Sequence, residues 1–182
     1  MVSDEELHRR FTEGERDAFE SLLIRHQEQV YRLAFRITGN SEEARDIAEE
    51  VFINLWENPT SYKPTAKFST WLFRVTSNRS ITHLRLRRFK SFISLSDPSS
   101  PDIYPTDPAD QPDVYSEKND EAERIEAAMK SLPPRQRAAI HLRYREELSV
   151  GEVAEVLNLS LKSVESLLFR GKQKLRKVLK ER

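Results

Sequence analysis

The sequence predicts an all-α chain of two small helical domains joined by a flexible, acidic, Pro-rich linker, the second domain ending in a helix-turn-helix. Three observations predict it. Apolar residues recur at helical spacing through most of the chain. Between Ser91 and Ser116 that period is lost, and Asp97, Asp102, Asp107, Asp110 and Asp113 alternate with Pro98, Pro101, Pro105, Pro108 and Pro112. The stretch Ser149–Arg182 reads as two helices around a tight turn. The division is therefore residues 1–90, a linker over 91–116, and residues 117–182, with the two helical parts expected to fold independently.

Composition narrows the function classes. The chain has 182 residues, 37% apolar and 33% charged, which suits a soluble helical protein with modest cores. It has no cysteine, which excludes disulfides, thiolate metal sites and a cysteine nucleophile. The opening MVSDEELHRRF lacks the apolar core of a signal peptide. No apolar run approaches the ~20 residues that cross a bilayer, so no membrane insertion and a cytoplasmic location are expected. His8, His26, His83 and His141 lack metal-ligand spacing, and four glycines form no phosphate-binding loop. No enzyme, cofactor or metal is expected. The net charge of zero averages segments of opposite sign.

In chain order, residues 17–38 carry Phe19, Leu22, Leu23, Val30, Leu33, Ala34 and Ile37 on one helical side. Gly39 stops that helix and Asn40-Ser41 restarts the chain. Residues 42–57 bury Ala44, Ile47, Ala48, Val51, Phe52 and Leu55. Their other face carries Asp46, Glu49, Glu50 and Asn54, an acidic ridge with apolar Ile53 beside it. Such a ridge is either a solvated surface or a dock for a basic partner. Residues 58–67, NPTSYKPTAK, form a loop around two prolines. Residues 68–89 resume the helix, with Trp71, Leu72, Val75, Ile81 and Leu84 inward and Arg74, Asn78, Arg79, Arg85, Arg87 and Arg88 polar.

A hydroxyl-rich loop with Tyr62 and Phe68 beside an Arg-rich helix suits single-stranded nucleic acid, because aromatics stack on bases and cations follow the backbone. Core packing is the competing reading; it is preferred for Trp71 and left open for Phe68. Beyond the linker a helix over 121–132 ends at Pro133, and Pro134 opens another over 135–146. Ser149 then caps 150–157, where Val153, Ala154 and Leu157 face inward, and Asn158 turns the chain in a left-handed conformation. Leu159 plugs the corner and Ser160 caps a last helix with Leu161, Val164, Leu167 and Leu168 inward. Its outer face carries Lys162, Ser163, Ser166, Phe169 and Arg170, followed by Lys172, Lys174, Arg176, Lys177 and Lys180. Arginine can pair with guanine edges in the major groove, and lysines neutralise phosphates. The competing reading is a solvated charged helix.

Three segments in order, EEARDIAEEVFINLW, KFSTWLFRVTSNRSITHLRLRR and SLPPRQRAAIHLRYREELSVGEVAEVLNLSLKSVESLLFRGKQKLRK, resemble the extracytoplasmic-function sigma factors of the bacterial sigma-70 family. The resemblance spans nearly all of the chain outside the linker. It implies a non-catalytic subunit that binds core RNA polymerase, through its largest and second-largest subunits, and directs it to promoter DNA. An anti-sigma protein and a stress or envelope signal are further expectations of the class.

The resemblance also implies roles. Asp46, Glu49, Glu50, Phe52 and Asn54 match the helix that docks on the polymerase clamp. Tyr62, Lys63, Lys67, Phe68, Ser69, Thr70, Arg74, Asn78 and Arg79 match the part that reads and opens the −10 element. Lys162, Ser163, Glu165, Ser166, Phe169, Arg170, Lys172, Lys174 and Lys177 fall on the helix that meets the −35 element. Glu165 departs from the many relatives with a basic residue there; a carboxylate repels phosphate or accepts from a cytosine amino group. A stand-alone helix-turn-helix regulator is the alternative, but it would use only residues 117–182 and leave the acidic ridge and aromatic loop unexplained. A helical scaffold without a nucleic-acid role is the third reading.

Overall fold

The computed structural model describes residues 2–96 and 120–180, and all regular elements among them are helical. They are α1 (Asp4–Thr12), α2 (Arg16–Thr38), α3 (Ser41–Glu57), a 3-10 turn (Pro59–Ser61), α4 (Phe68–Ser96), α5 (Asp120–Lys130), α6 (Pro134–Tyr144), α7 (Val150–Leu157) and α8 (Leu161–Lys180). No helix among the described residues is long and apolar enough to cross a membrane.

Local chemistry accounts for most boundaries. Asn40 Oδ1 accepts from the Glu43 amide at 2.9 Å and opens α3. Gly39 ends α2 at φ +73°, a left-handed conformation that a side chain would strain. Pro134 occupies the first turn of α6, where its missing N–H is no loss. Ser149 and Glu152 form a reciprocal capping box on α7: Ser149 Oγ accepts from Glu152 N at 3.2 Å, and Glu152 Oε2 accepts from Ser149 N at 2.8 Å. That backbone hydrogen bond from Ser149 holds the Glu152 carboxyl below its usual range.

Helix α1 is not anticipated by the sequence reading. Its apolar stripe is only Leu7 and Phe11, with His8 beside them, and all three are buried. Charge stabilises the rest of it. Ser3 caps the first turn, and the Glu6 carboxylate accepts from Arg9 Nη2 at 2.8 Å and Arg10 Nε at 3.0 Å. Hydrogen bonds from those guanidiniums hold Glu6 down to about 2.

Helices α1–α4 enclose one apolar cluster, with Leu22, Val51, Leu55 and Phe68 at its centre. A second cluster combines α5–α8 with residues of the first half. Leu33, Ile37, Phe73, Ile81 and Leu84 pack in the same core as Met129, Leu132, Ile140, Val153, Leu157 and Val164. Polar contacts cross the same seam. Arg137 Nη1 donates to the Ile37 carbonyl at 2.8 Å, and Arg36 Nη1 meets Glu146 Oε1 at 2.8 Å. The two helical domains are present, but their cores are not separate as the linker suggested.

The linker boundary also moves. Helix α4 runs to Ser96, so residues 91–96 are helical rather than linker. Residues 97–116 and 117–119 lie outside the described residues.

Candidate functional site

The carboxy-terminal site is built on α7 and α8. Asn158 takes φ +51° and ψ +54° between them, and the Leu159 amide closes onto the Ala154 carbonyl at 2.9 Å. Ser160 Oγ accepts from the Ser163 amide at 3.2 Å and starts α8. Val164, Leu168 and Gly171 bury one face of α8. Gly171 is needed for the close crossing, since a Cβ there would come within 3.2 Å of Ile140.

Opposite that buried face, Lys162, Ser163, Glu165, Ser166, Phe169, Arg170, Lys172, Lys174 and Lys177 are all exposed. Phe169 is 62% exposed, a large aromatic held in water on a basic surface. Leu161, expected inward, is 56% exposed, because it sits at the edge of the stripe one turn before Val164 anchors the helix. Cations of this face are already engaged, Arg170 among them through its Nε to the Ser166 carbonyl. Lys174 Nζ donates to the Ser131 carbonyl at 2.6 Å, and Lys172 Nζ lies 4.7 Å over the Tyr144 ring. A cleft of about 440 Å³ runs beside the face, lined by Arg135, Ser160, Lys162, Ser163, Ser166 and Arg170, with Leu159 and Leu167 beneath. Sequence reading missed Arg135, which enters from α6; the sequence signal was a cation directly after the Pro-Pro pair.

The acidic face of α3 is largely exposed. Asp46 and Glu49 are exposed on α3, and Asn54 is half-buried beside them. Glu50 Oε2 is bonded to Arg79 Nη1 of α4 at 2.6 Å. Phe52 is 5% exposed and belongs to the core, so it supports the ridge from beneath and cannot form part of its surface. Ile53 and Trp56 are the exposed apolar residues of this face. Trp56 went unnoticed in sequence because its period matches the buried stripe. In the fold it stacks on Phe11 at 5.6 Å with the Arg16 guanidinium 5.9 Å from its ring.

The loop between α3 and α4 needs the largest correction. Tyr62, read as an aromatic for stacking on bases, and Phe68, for which the sequence leaves stacking and core packing both open, are 3% and 0% exposed. Their rings meet edge to face at 5.1 Å, and Trp71 stacks on Phe68 at 5.6 Å. Burial wins because these rings fill the end of the first core, where each large ring contributes more than an exposed partial stack. Thr70 is buried with them. Lys63 and Lys67 are exposed and Ser69 is half-buried, so the loop offers cations and hydroxyls rather than aromatic faces. On α4, Asn78 is exposed, while Arg74 Nη2 lies 3.4 Å from Glu155 of α7. Exposed pairs such as Arg74–Glu155 and Arg79–Glu50 contribute about 0–1 kcal/mol, so a phosphate can replace the carboxylate.

Comparison with known proteins bears on this arrangement. The family description Sigma-70 region 2 matches residues 22–89, and Sigma-70, region 4 matches residues 122–175. The chain is similar to the ECF RNA polymerase sigma factor SigW of Bacillus subtilis (strain 168), 31% identical over 92% of each chain. It is also similar to the ECF RNA polymerase sigma factor SigE of Mycolicibacterium smegmatis, 34% identical over 89% of this chain and 62% of that one. Its fold is similar to that of CnrH, solved in complex with the cytosolic domain of CnrY. That likeness has a TM-score of 0.69 and 24% identity, over 98% of this chain and 97% of the other.

Proposed function

The chain belongs to the extracytoplasmic-function class of the sigma-70 family, and from that membership we propose how its surfaces divide the work of transcription initiation. As a sigma factor it associates with core RNA polymerase and directs initiation at promoters. Helix α3, through Asp46, Glu49 and Glu50 with Ile53 and Trp56, docks on a basic helical surface of the polymerase. The α3–α4 loop and α4, through Lys63, Lys67, Ser69, Arg74, Asn78 and Arg79, engage the −10 element. Helix α8 engages the −35 element through Lys162, Ser163, Ser166, Phe169 and Arg170. The carrying observation is a basic outward face on the second helix of a helix-turn-helix, bearing Phe169 at 62% exposure, within a region 4 match.

The closed packing adds a step. Elements at −10 and −35 are about 25 base pairs apart, roughly 85 Å at ~3.4 Å per base pair. Here α4 and α7 touch, with Arg74 and Glu155 3.4 Å apart. Both elements can be read together only after the seam between the two halves opens. Work in the cytoplasm with core polymerase follows from this role. An anti-sigma partner also fits the reading, since a structural neighbour, the sigma factor RpoE from Bartonella quintana, was solved in complex with the anti-sigma factor NepR.

The test is reconstitution: the purified chain is added to core polymerase on a genomic fragment library and transcripts are mapped. Specific start sites that depend on the chain are expected, and Arg170→Ala should reduce them. Tight, sequence-specific duplex binding without polymerase, and no transcripts with it, would support the stand-alone regulator instead.

A further inference from the structure

We propose that α1 is a positioning element for the loop that engages the −10 element, with His8 and Glu5 fixing its two ends. This rests on the assignment of that loop to −10 DNA. At the front end, His8 Nε2 lies 2.8 Å from the Pro59 carbonyl, a distance at which the ring N–H donates to that oxygen. At the far end, Glu5 Oε1 accepts from the Phe68 amide at 3.2 Å. That amide opens α4 and has no partner within its own helix.

Between these points the loop is pinned from inside. The Tyr62 hydroxyl donates to the Ala66 carbonyl at 2.7 Å, and the Tyr62 ring lies 4.8 Å from the His8 ring, edge to face. His8 is 6% exposed, so its imidazole is committed to this contact rather than to solvent. Helix α1 is itself fastened to α2, where Asp4 bonds Arg25 and its Oδ2 lies 2.9 Å from His26 Nε2. The loop's remaining groups, Thr60, Ser61, Lys63, Thr65 and Lys67, stay exposed on the outside. The buried aromatics therefore act as a scaffold, and α1 determines where the exposed cations and hydroxyls stand. Helix α1 lies wholly before the region 2 match, which begins at residue 22.

The experiment uses full-length chain in reconstituted holoenzyme on a promoter identified by the reconstitution above. Strand opening at −10 is read by permanganate reactivity of thymines, beside core-polymerase affinity and thermal midpoint. His8→Leu removes the ring donor, His8→Gln keeps an N–H donor at similar reach, and Glu5→Ala removes the acceptor at an exposed position where folding is not at stake. Lys63→Ala and Lys67→Ala serve as controls on the loop. Loss of one hydrogen bond predicts an opening defect of about five- to tenfold for His8→Leu and Glu5→Ala, with unchanged core affinity. His8→Gln should open close to wild type, a rescue that a merely space-filling role would not give. Wild-type opening by His8→Leu and Glu5→Ala, with the lysine variants defective, overturns the role of α1 and leaves the loop assignment standing. Wild-type opening by both lysine variants removes the loop assignment, and the positioning role with it. If His8→Leu does not fold, Glu5→Ala decides the outcome by the same readouts.

Discussion

Arg36 on α2 and Glu146, just past the end of α6, form an ion pair at 2.8 Å in which the Glu146 side chain is only 9% exposed. Gln29 approaches the same carboxylate at 3.5 Å. The contact joins residues 110 positions apart and closes one edge of the seam between the two halves. A half-buried pair of this kind falls between surface and buried cases, at about 1–3 kcal/mol. Glu146→Arg should therefore open the seam, raising the radius of gyration in small-angle scattering. The swap Arg36→Glu with Glu146→Arg should recover closure. A Glu146→Arg variant that stayed closed would show that the apolar core alone sets the arrangement.

Acid should weaken the same seam. His141 on α6 is buried, and desolvation first, then Arg36, Arg137 and Arg145, lowers its pKa from 6.5 to about 3. A group depressed in the folded state binds its proton more readily when unfolded. The stability it contributes is therefore complete above pH 6.5 and is lost as pH falls towards 3. The slope should reach up to about 1.4 kcal/mol per pH unit for one proton. Urea denaturation from pH 7.5 to 4.5 should show it, and His141→Gln should flatten that part of the profile.

The acidic ridge is open to a charge reversal that spares the fold. Asp46 and Glu49 are exposed and make no ion pair among the described residues, whereas Glu50 is bonded to Arg79. Asp46→Arg with Glu49→Arg should lower core-polymerase affinity, by about 2–5 kcal/mol if both carboxylates are buried in the complex. Circular dichroism should be unchanged. Full affinity in the folded variant would remove the ridge from the polymerase interface.

On α8, Arg170 and Lys177 should separate base reading from phosphate attachment. Arg170 lines the cleft with Ser166 and Lys162, and its Nε bonds the Ser166 carbonyl at 3.2 Å. Arg170→Ala should reduce discrimination among −35 variants by about 1–3 kcal/mol. Lys177→Ala should weaken all duplexes alike and lower the salt slope by about 1. Holoenzyme binding to single-base −35 variants at several salt concentrations measures both. Uniform weakening by Arg170→Ala would make Arg170 a phosphate clamp.

The sequence by itself determined the all-α class, the boundaries of α7, the Asn158 turn, the Gly39 stop and the basic outer face of α8. Each depends on residues within about four positions, where helical periodicity and capping chemistry act. The family resemblance was legible for the same reason, since long ordered segments carry it. Only the tertiary structure decided which aromatic rings were exposed. Tyr62 and Phe68 lie beside a polar loop in sequence, yet their surroundings come from His8, His26 and Trp71, brought together by three different helices. It also decided the pairs Glu50–Arg79, Arg74–Glu155 and Arg36–Glu146, which have no periodic spacing to reveal them. Helix α1 fell between the two cases: two apolar residues in a charged run are a weak signal, and the packing of Phe11 on Trp56 and of His8 on Tyr62 makes the helix worth forming. The shared core across the seam came last, because Leu33 and Ile37 read as one helix's inner stripe until the fold shows which of its neighbours they touch.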